Sequence, residues 1–150
     1  MQEGIQLGEL IVAEAAVRDE GGSKSYVEPS FPAYASFELL ASFERFLNNR
    51  RVTYHRGVVR SHDSFYTDDE ERICQYWNSK GVLGADMETS ALFTVGRLRG
   101  IETASILNNV VLYQQDVKEG VGQYVDAERD MMDGEKLASI AALEALMTRN

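Results

Sequence analysis

Between Val82 and Ala91 the chain passes from a strand pattern to a helix pattern with almost nothing in between. A short apolar strand at Val82-Leu83 runs into two carboxylates, Asp86 and Glu88, and an amphipathic helix begins immediately after them. The side-chain period changes there from two to 3.6, so a strand gives way directly to a helix. Acidic side chains at the end of a buried strand are costly to desolvate and are rarely placed there for packing alone. In open α/β sheets the same position, the carboxyl end of a strand, is where ligands sit.

The rest of the chain repeats this alternation. Glu9 to Val17 is an apolar, β-branched run expected to be a buried strand. Arg18 to Tyr34 is expected to be a long loop, broken by Gly21-Gly22-Ser23 and by Pro29 and Pro32. Ser36 caps a predicted helix with Phe37, Leu40, Phe43 and Leu47 inward, ending by about Asn49. Val52 to Val59 reads as a strand and Ser61 to Tyr66 as a loop at its carboxyl end. Thr67 and Glu70 fit a capping box for a helix that sets Ile73, Tyr76 and Trp77 on one face and stops near Lys80-Gly81. Val82 to Met87 is a strand, and Glu88 to Leu98 a helix with Ala91, Leu92, Val95 and Leu98 inward, ended by Gly100. A strand from Thr103 to Leu112, a polar loop from Gln114 to Gly122 and a helix from about Asp126 to Met147 complete the chain. This predicts one α/β domain over residues 1–150, with helices around a mixed, largely parallel sheet.

Composition narrows the function. A net charge of −9 argues against nucleic acid or an anionic membrane as the main partner, since both require a basic surface. No apolar run approaches the roughly 20 residues of a membrane helix. Met1 to Gly4 has neither the basic segment nor the apolar core of a signal peptide. Cys74 is the sole cysteine, which rules out a disulfide framework and a cysteine zinc cluster and fits a cytoplasmic protein.

Asp86 and Glu88 share a face if the strand holds through Glu88. Two roles are open: Glu88 complements the helix macrodipole from the first turn, or it accepts hydrogen bonds from the vicinal hydroxyls of a sugar. Ser61-His62-Asp63 is not a hydrolase triad, because adjacent residues do not converge on one point and no G-x-S-x-G elbow is present. Asp63 and Ser64 are expected instead to bond their own backbone. His55 and His62 lack metal-ligand spacing, so no metal is expected. Gly21-Gly22-Ser23-Lys24 lacks the spacing of a phosphate-binding loop. Phe65-Tyr66 reads either as core or as a platform for stacking a base.

In order, the segments Leu7 to Val12, Ala16 to Gly21, Phe31-Pro32-Ala33, Ser61 to Tyr66 and Gly84 to Ala91 resemble the nucleoside phosphorylase family, in particular its uridine phosphorylase-like branch. Members of that family cleave a nucleoside with phosphate, giving free base and ribose 1-phosphate. The resemblance implies that Met87 and Glu88 bind ribose, that Phe65 and Asp86 contact the base, and that phosphate is the co-substrate with no other cofactor. Arg72 is the one arginine available for a base-reading position, and it stands out of register with the family's arginine. The family's phosphate-binding residues have no counterpart before Met1, so the chain is expected to be its C-terminal portion, with little turnover alone. A homo-oligomer is implied by resemblance. Two other functions are weighed: a nucleosidase, disfavoured because Asn109 to Leu112 lacks the aspartate that protonates purines, and a non-catalytic remnant or oligomerisation partner.

Overall fold

The computed structural model describes residues 2–64, 66–113 and 128–148. At its centre lies β1 (Leu10–Asp19), flanked on one edge by β3 (Tyr54–His62) and then β4 (Gly84–Asp86), all parallel. The other edge of β1 is shared by two antiparallel strands, β2 (Ala33–Tyr34) opposite Ala15 and Ala16, and β5 (Ser105–Asn108) opposite Leu10 to Ala13. The sheet is therefore mixed, as the alternation predicts. The helices are α1 (Phe37–Asn49), α2 (Glu70–Asn78), α3 (Thr89–Leu98) and α4 (Glu128–Met147).

Burial explains why β1 is central. Leu10, Ile11, Val12 and Ala13 are all buried, which requires cover on both faces and matches an uninterrupted apolar run. Leu39, Leu40, Phe43 and Leu47 of α1, Val59 of β3, Phe93 of α3 and Ala138, Ala141 and Ala145 of α4 join them in one core. The alanines of α4 recur every three or four residues, so α4 presents a narrow seam on which α1 packs. Asn108 and Asn109 tie neighbouring segments to β5. Asn108 Nδ2 donates to Met131 O (2.8 Å), and Asn109 Nδ2 donates to Ile5 O (3.2 Å) and Gln6 O (3.1 Å).

Helix ends follow one rule. Ile101 N bonds Gly96 O and Gly100 N bonds Arg97 O, with Gly100 at φ +68, so α3 closes in a Schellman turn at the predicted glycine. Val52 N on Leu47 O and Arg51 N on Asn48 O form the same turn after α1, with Arg51 in the left-handed position at φ +56. That turn uses up Val52, so β3 starts at Tyr54 rather than at Val52.

Other boundaries differ from expectation for identifiable reasons. Ser61 and His62 extend β3 because they pair with Arg18 and Asp19 of β1. The strand through Asp86 does not reach Glu88, which stands at the N-cap of α3. Part of the expected loop is β2, which pairs with β1. Asp69, not Thr67, is the N-cap of α2: Ile73 N bonds Asp69 O, while Thr67 Oγ1 accepts Asp69 N in the preceding turn. Ser36 is the N-cap of α1, but its hydroxyl accepts Thr103 N (3.1 Å) instead of capping the helix. Phe37 is 71% exposed, and Leu39 takes its expected inward place. Ile73 and Trp77 are half-buried and Tyr76 is exposed, so α2 lies on the surface. The strand expected from Thr103 to Leu112 is confined to Ser105–Asn108. The polar loop from Gln114 to Gly122 lies outside the described residues.

Candidate active site

Because β1, β3 and β4 are parallel, Asp19, His62 and Asp86 all reach the same edge of the sheet, the carboxyl edge. The register places Ser61 beside Asp86, and these two side chains build the turn into α3. Ser61 Oγ donates to Asp86 Oδ1 (2.6 Å) and accepts Ser90 N (2.8 Å). Asp86 Oδ2 accepts Thr89 N (2.9 Å), and the Thr89 and Ser105 hydroxyls lie 2.8 Å apart. Asp86 thus satisfies one of the amides that a helix start leaves without an intrahelical acceptor. With Thr89 and Ser90 anchored in this way, the rotation of α3 is fixed. Its inward side chains are Thr89, Ser90, Phe93 and Thr94, whereas Leu92 and Leu98, expected inward, are exposed.

A second carboxylate completes the arrangement. Glu20 follows β1 and is 2% exposed. It accepts Ser23 N (2.7 Å), the Ser23 hydroxyl in a very short contact, and the Ser90 hydroxyl (2.7 Å). Burial alone pushes its carboxyl up. The Ser23 and Ser90 hydroxyls, the Ser23 amide and the Arg18 charge outweigh that and hold it below the ordinary carboxylate value. Arg18 in turn donates to Ser23 Oγ and to the carbonyls of Val27, Glu28 and Phe31, which organises the whole 20–31 segment.

On the neighbouring side of the edge, Arg60 Nε (2.8 Å) and Nη2 (2.7 Å) both donate to Asp19 Oδ2, and its guanidinium lies 5.8 Å from the Trp77 ring centre. Burial and then the Arg60 charge push His62 below the usual histidine range, favouring the neutral imidazole. Among the described residues, Asp63 Oδ2 accepts Gly21 N (2.8 Å), which links the β3–α2 loop to the end of β1. Ser64 does bond locally, its hydroxyl donating to Tyr66 O (2.7 Å).

The predicted ribose residues sit between these anchors. Met87 and Glu88 are both exposed, and the Glu88 carboxylate accepts only a long bond, 3.2 Å, from Met87 N among those described. Asp86 is half-buried, with both oxygens engaged as above. Arg72 lies on the exposed first turn of α2, paired with Asp69. Phe65 falls outside the described residues. Glu20, Ser61 and Ser90 were missed by motif reasoning, because their roles depend on partners 29 and 70 residues apart in sequence. The signal available was an acidic residue, Glu20, just after a strand that opens on the apolar run Leu10 to Ala13. Among the described residues no group of three or more acidic, histidine or cysteine side chains is arranged to hold a metal, and no helix is long and apolar enough to cross a membrane.

This arrangement has known relatives. The model of the phosphorylase superfamily matches residues 1–120. The uridine phosphorylase of Thermococcus kodakarensis is 28% identical over 158 residues, covering 97% of this chain and 53% of that protein. The structure of uridine phosphorylase from Vibrio fischeri ES114 is 66% identical with a TM-score of 0.90, covering 99% of this chain and 59% of that one. An AMP nucleosidase from Bacteroides thetaiotaomicron is 27% identical with a TM-score of 0.67, over 95% of this chain and 54% of its own. The chain therefore spans little more than half the length of these relatives. Its mixed sheet and surrounding helices have the nucleoside phosphorylase fold. With the superfamily model matched from residue 1 to residue 120, the chain belongs to the phosphorylase superfamily.

Proposed function

We propose that this chain forms the nucleoside-binding side of a uridine-type nucleoside phosphorylase, a pentosyltransferase that uses phosphate to release a free base and ribose 1-phosphate. The observation that carries this is the turn at the carboxyl edge. Asp86, Thr89 and Ser90 are bonded into the scaffold, while Met87 and Glu88 between them face outward. Glu88 supplies an acceptor-only carboxylate for the two ribose hydroxyls, and Met87 supplies an apolar surface beneath the sugar. A fixed carboxylate near the sugar favours an oxocarbenium-like transition state and holds the ribose in its reacting orientation.

Asp86 and Phe65 form the base side. Arg72 joins them by leaving Asp69, a change of partner that costs little because exposed pairs are weak. Phosphate is the co-substrate, no further cofactor is required, and phosphate is bound by residues other than those at this turn. The similarity to the Vibrio fischeri uridine phosphorylase supports uridine as substrate over a purine nucleoside. Exposed Leu92, Leu98 and Ile101 support self-association into a homo-oligomer, and the lone Cys74 suits a cytoplasmic setting.

The test is release of uracil from uridine by the full-length enzyme, with and without phosphate. Phosphate-dependent release that is largely lost in Glu88→Ala is the expected result. Release that proceeds equally well without phosphate would instead favour the hydrolytic reaction named for the AMP nucleosidase relative.

A further inference from the structure

We propose that Glu20 is a positioning residue of this site, holding the ribose-side turn and the base-side loop in one fixed relation. The meaning of those two sides rests on the phosphorylase function proposed above; the coupling between them rests on geometry alone. Glu20 itself is 2% exposed and does not reach a ligand. Its side chain grips Ser90 Oγ (2.7 Å), and Ser90 N is bonded to Ser61 Oγ, which holds Asp86 at the base of the Met87-Glu88 turn. The backbone of the next residue faces the other side: Gly21 N donates to Asp63 Oδ2 (2.8 Å), two residues before Phe65. Two adjacent residues thus hold the Asp86-to-Ser90 turn and the β3–α2 loop.

Three physical features make this more than packing. A buried carboxylate is a poor way to gain stability, since a well-packed apolar side chain of similar size often does as well or better. Glu20 also requires acceptor character throughout, because Ser23 N, the Ser23 hydroxyl and the Ser90 hydroxyl all donate to it. Finally, the two glycines beside it give both carboxylates room. A Cβ on Gly22 would lie 3.1 Å from Glu20 Oε2, and one on Gly21 would lie 3.3 Å from Asp63 Oδ2.

Glu20→Gln separates shape from acceptor chemistry. The amide keeps the volume, but with its oxygen on the two hydroxyls its NH2 group opposes Ser23 N–H, a donor that cannot rotate away. Ser90→Ala removes one link with little change in volume and serves if Glu20→Gln fails to fold. Two readouts are made on the whole chain: amide hydrogen exchange, and calorimetric binding of uridine and of 2′,3′-dideoxyuridine. In both variants the Thr89 and Ser90 amides should exchange about tenfold faster or more while those of α1 keep their protection, and in Glu20→Gln the Gly21 amide should follow. Uridine binding should weaken by about tenfold and binding of the dideoxy analogue by less than about twofold, cutting discrimination for the ribose diol severalfold.

Unchanged exchange at Thr89, Ser90 and Gly21, or equal weakening of both nucleosides, would overturn the positioning role. If the wild-type chain does not prefer uridine, the ribose assignment of Glu88 falls instead, and the exchange data alone judge the coupling through Glu20.

Discussion

Asp86→Asn should destabilise the protein although it conserves size and hydrogen-bonding capacity. Ser61 Oγ already accepts Ser90 N, so its proton is directed to Asp86 Oδ1, and Thr89 N is directed to Oδ2. Asparagine offers one acceptor where two donors converge: with its oxygen on Thr89 N, its NH2 group can donate to Ser61 Oγ only if the buried Ser61 proton turns away and is left unmatched. Leaving a buried donor unmatched costs about 1–3 kcal/mol. Asp86→Ala loses both bonds, adding a lost helix cap worth about 1 kcal/mol, for a total of about 2–4 kcal/mol. With a urea slope of about 2 kcal/mol/M, Asp86→Asn lowers the unfolding midpoint by about 0.5–1.5 M, and Asp86→Ala by about 1–2 M. Trp77 is the only tryptophan and lies beside Arg60 at the same edge, so its fluorescence reports the transition. Glu88→Gln is the control, because Glu88 is exposed and bonds only the Met87 amide among the contacts described. An Asp86→Asn midpoint equal to that of the Glu88→Gln control would refute the two-donor argument.

Three further outcomes follow from the same physics. Arg51→Gly should raise stability by about 0.5–1 kcal/mol, because the left-handed φ of +56 strains arginine but not glycine; an unchanged or lower melting temperature would count against it. Gly134→Ala should destabilise by about 1–3 kcal/mol although alanine is the better helix former, since its Cβ would overlap Asn108 Oδ1 and the carbonyl of Gly8; a gain in thermal stability would contradict that packing. Stability should fall with acid in two windows. His62 is held below its ordinary 6.5, so stability declines as pH drops below that value and the unfolded chain takes up a proton first. Glu9, held down by the Gln6 amide and then by His55, and Glu20 are both kept below 4.5, so their contribution is present above that pH and is lost as pH falls through their lower folded values. Urea midpoints against pH check both, and a midpoint that rises on acidification would refute the assignments.

The sequence made some of this legible and not the rest, for physical reasons. β1 was readable because a strand buried on both faces is continuously apolar, and the end of α3 because Gly100 alone accommodates the left-handed turn without strain. The end of α1 near Asn49 was readable too, but the left-handed residue after it was not, since arginine at position 51 carries no such signal. The inward face of α3 was misread because apolar periodicity favoured Leu92 and Leu98, whereas hydrogen bonds from Thr89 and Ser90 set its rotation. Ser61-His62 looked like the start of a polar loop because two polar residues at a strand end carry no strand pattern; pairing with Arg18 and Asp19 overrode it. At the site, Met87 and Glu88 were visible as a local segment. The network that holds them was not, because Glu20 and Ser90 meet only once the strands are in register.

The ribose clamp at Glu88 is tested most directly by calorimetry of the chain with uridine and with 2′,3′-dideoxyuridine, in wild type and in Glu88→Ala. A carboxylate engaged with both hydroxyls predicts a wild-type preference for uridine of about 1.5–3 kcal/mol, roughly ten- to a hundredfold in affinity. Glu88→Ala should abolish that preference while leaving the weaker analogue almost unaffected. Equal affinity of the wild-type chain for the two nucleosides, or a preference that survives in Glu88→Ala, would contradict the account.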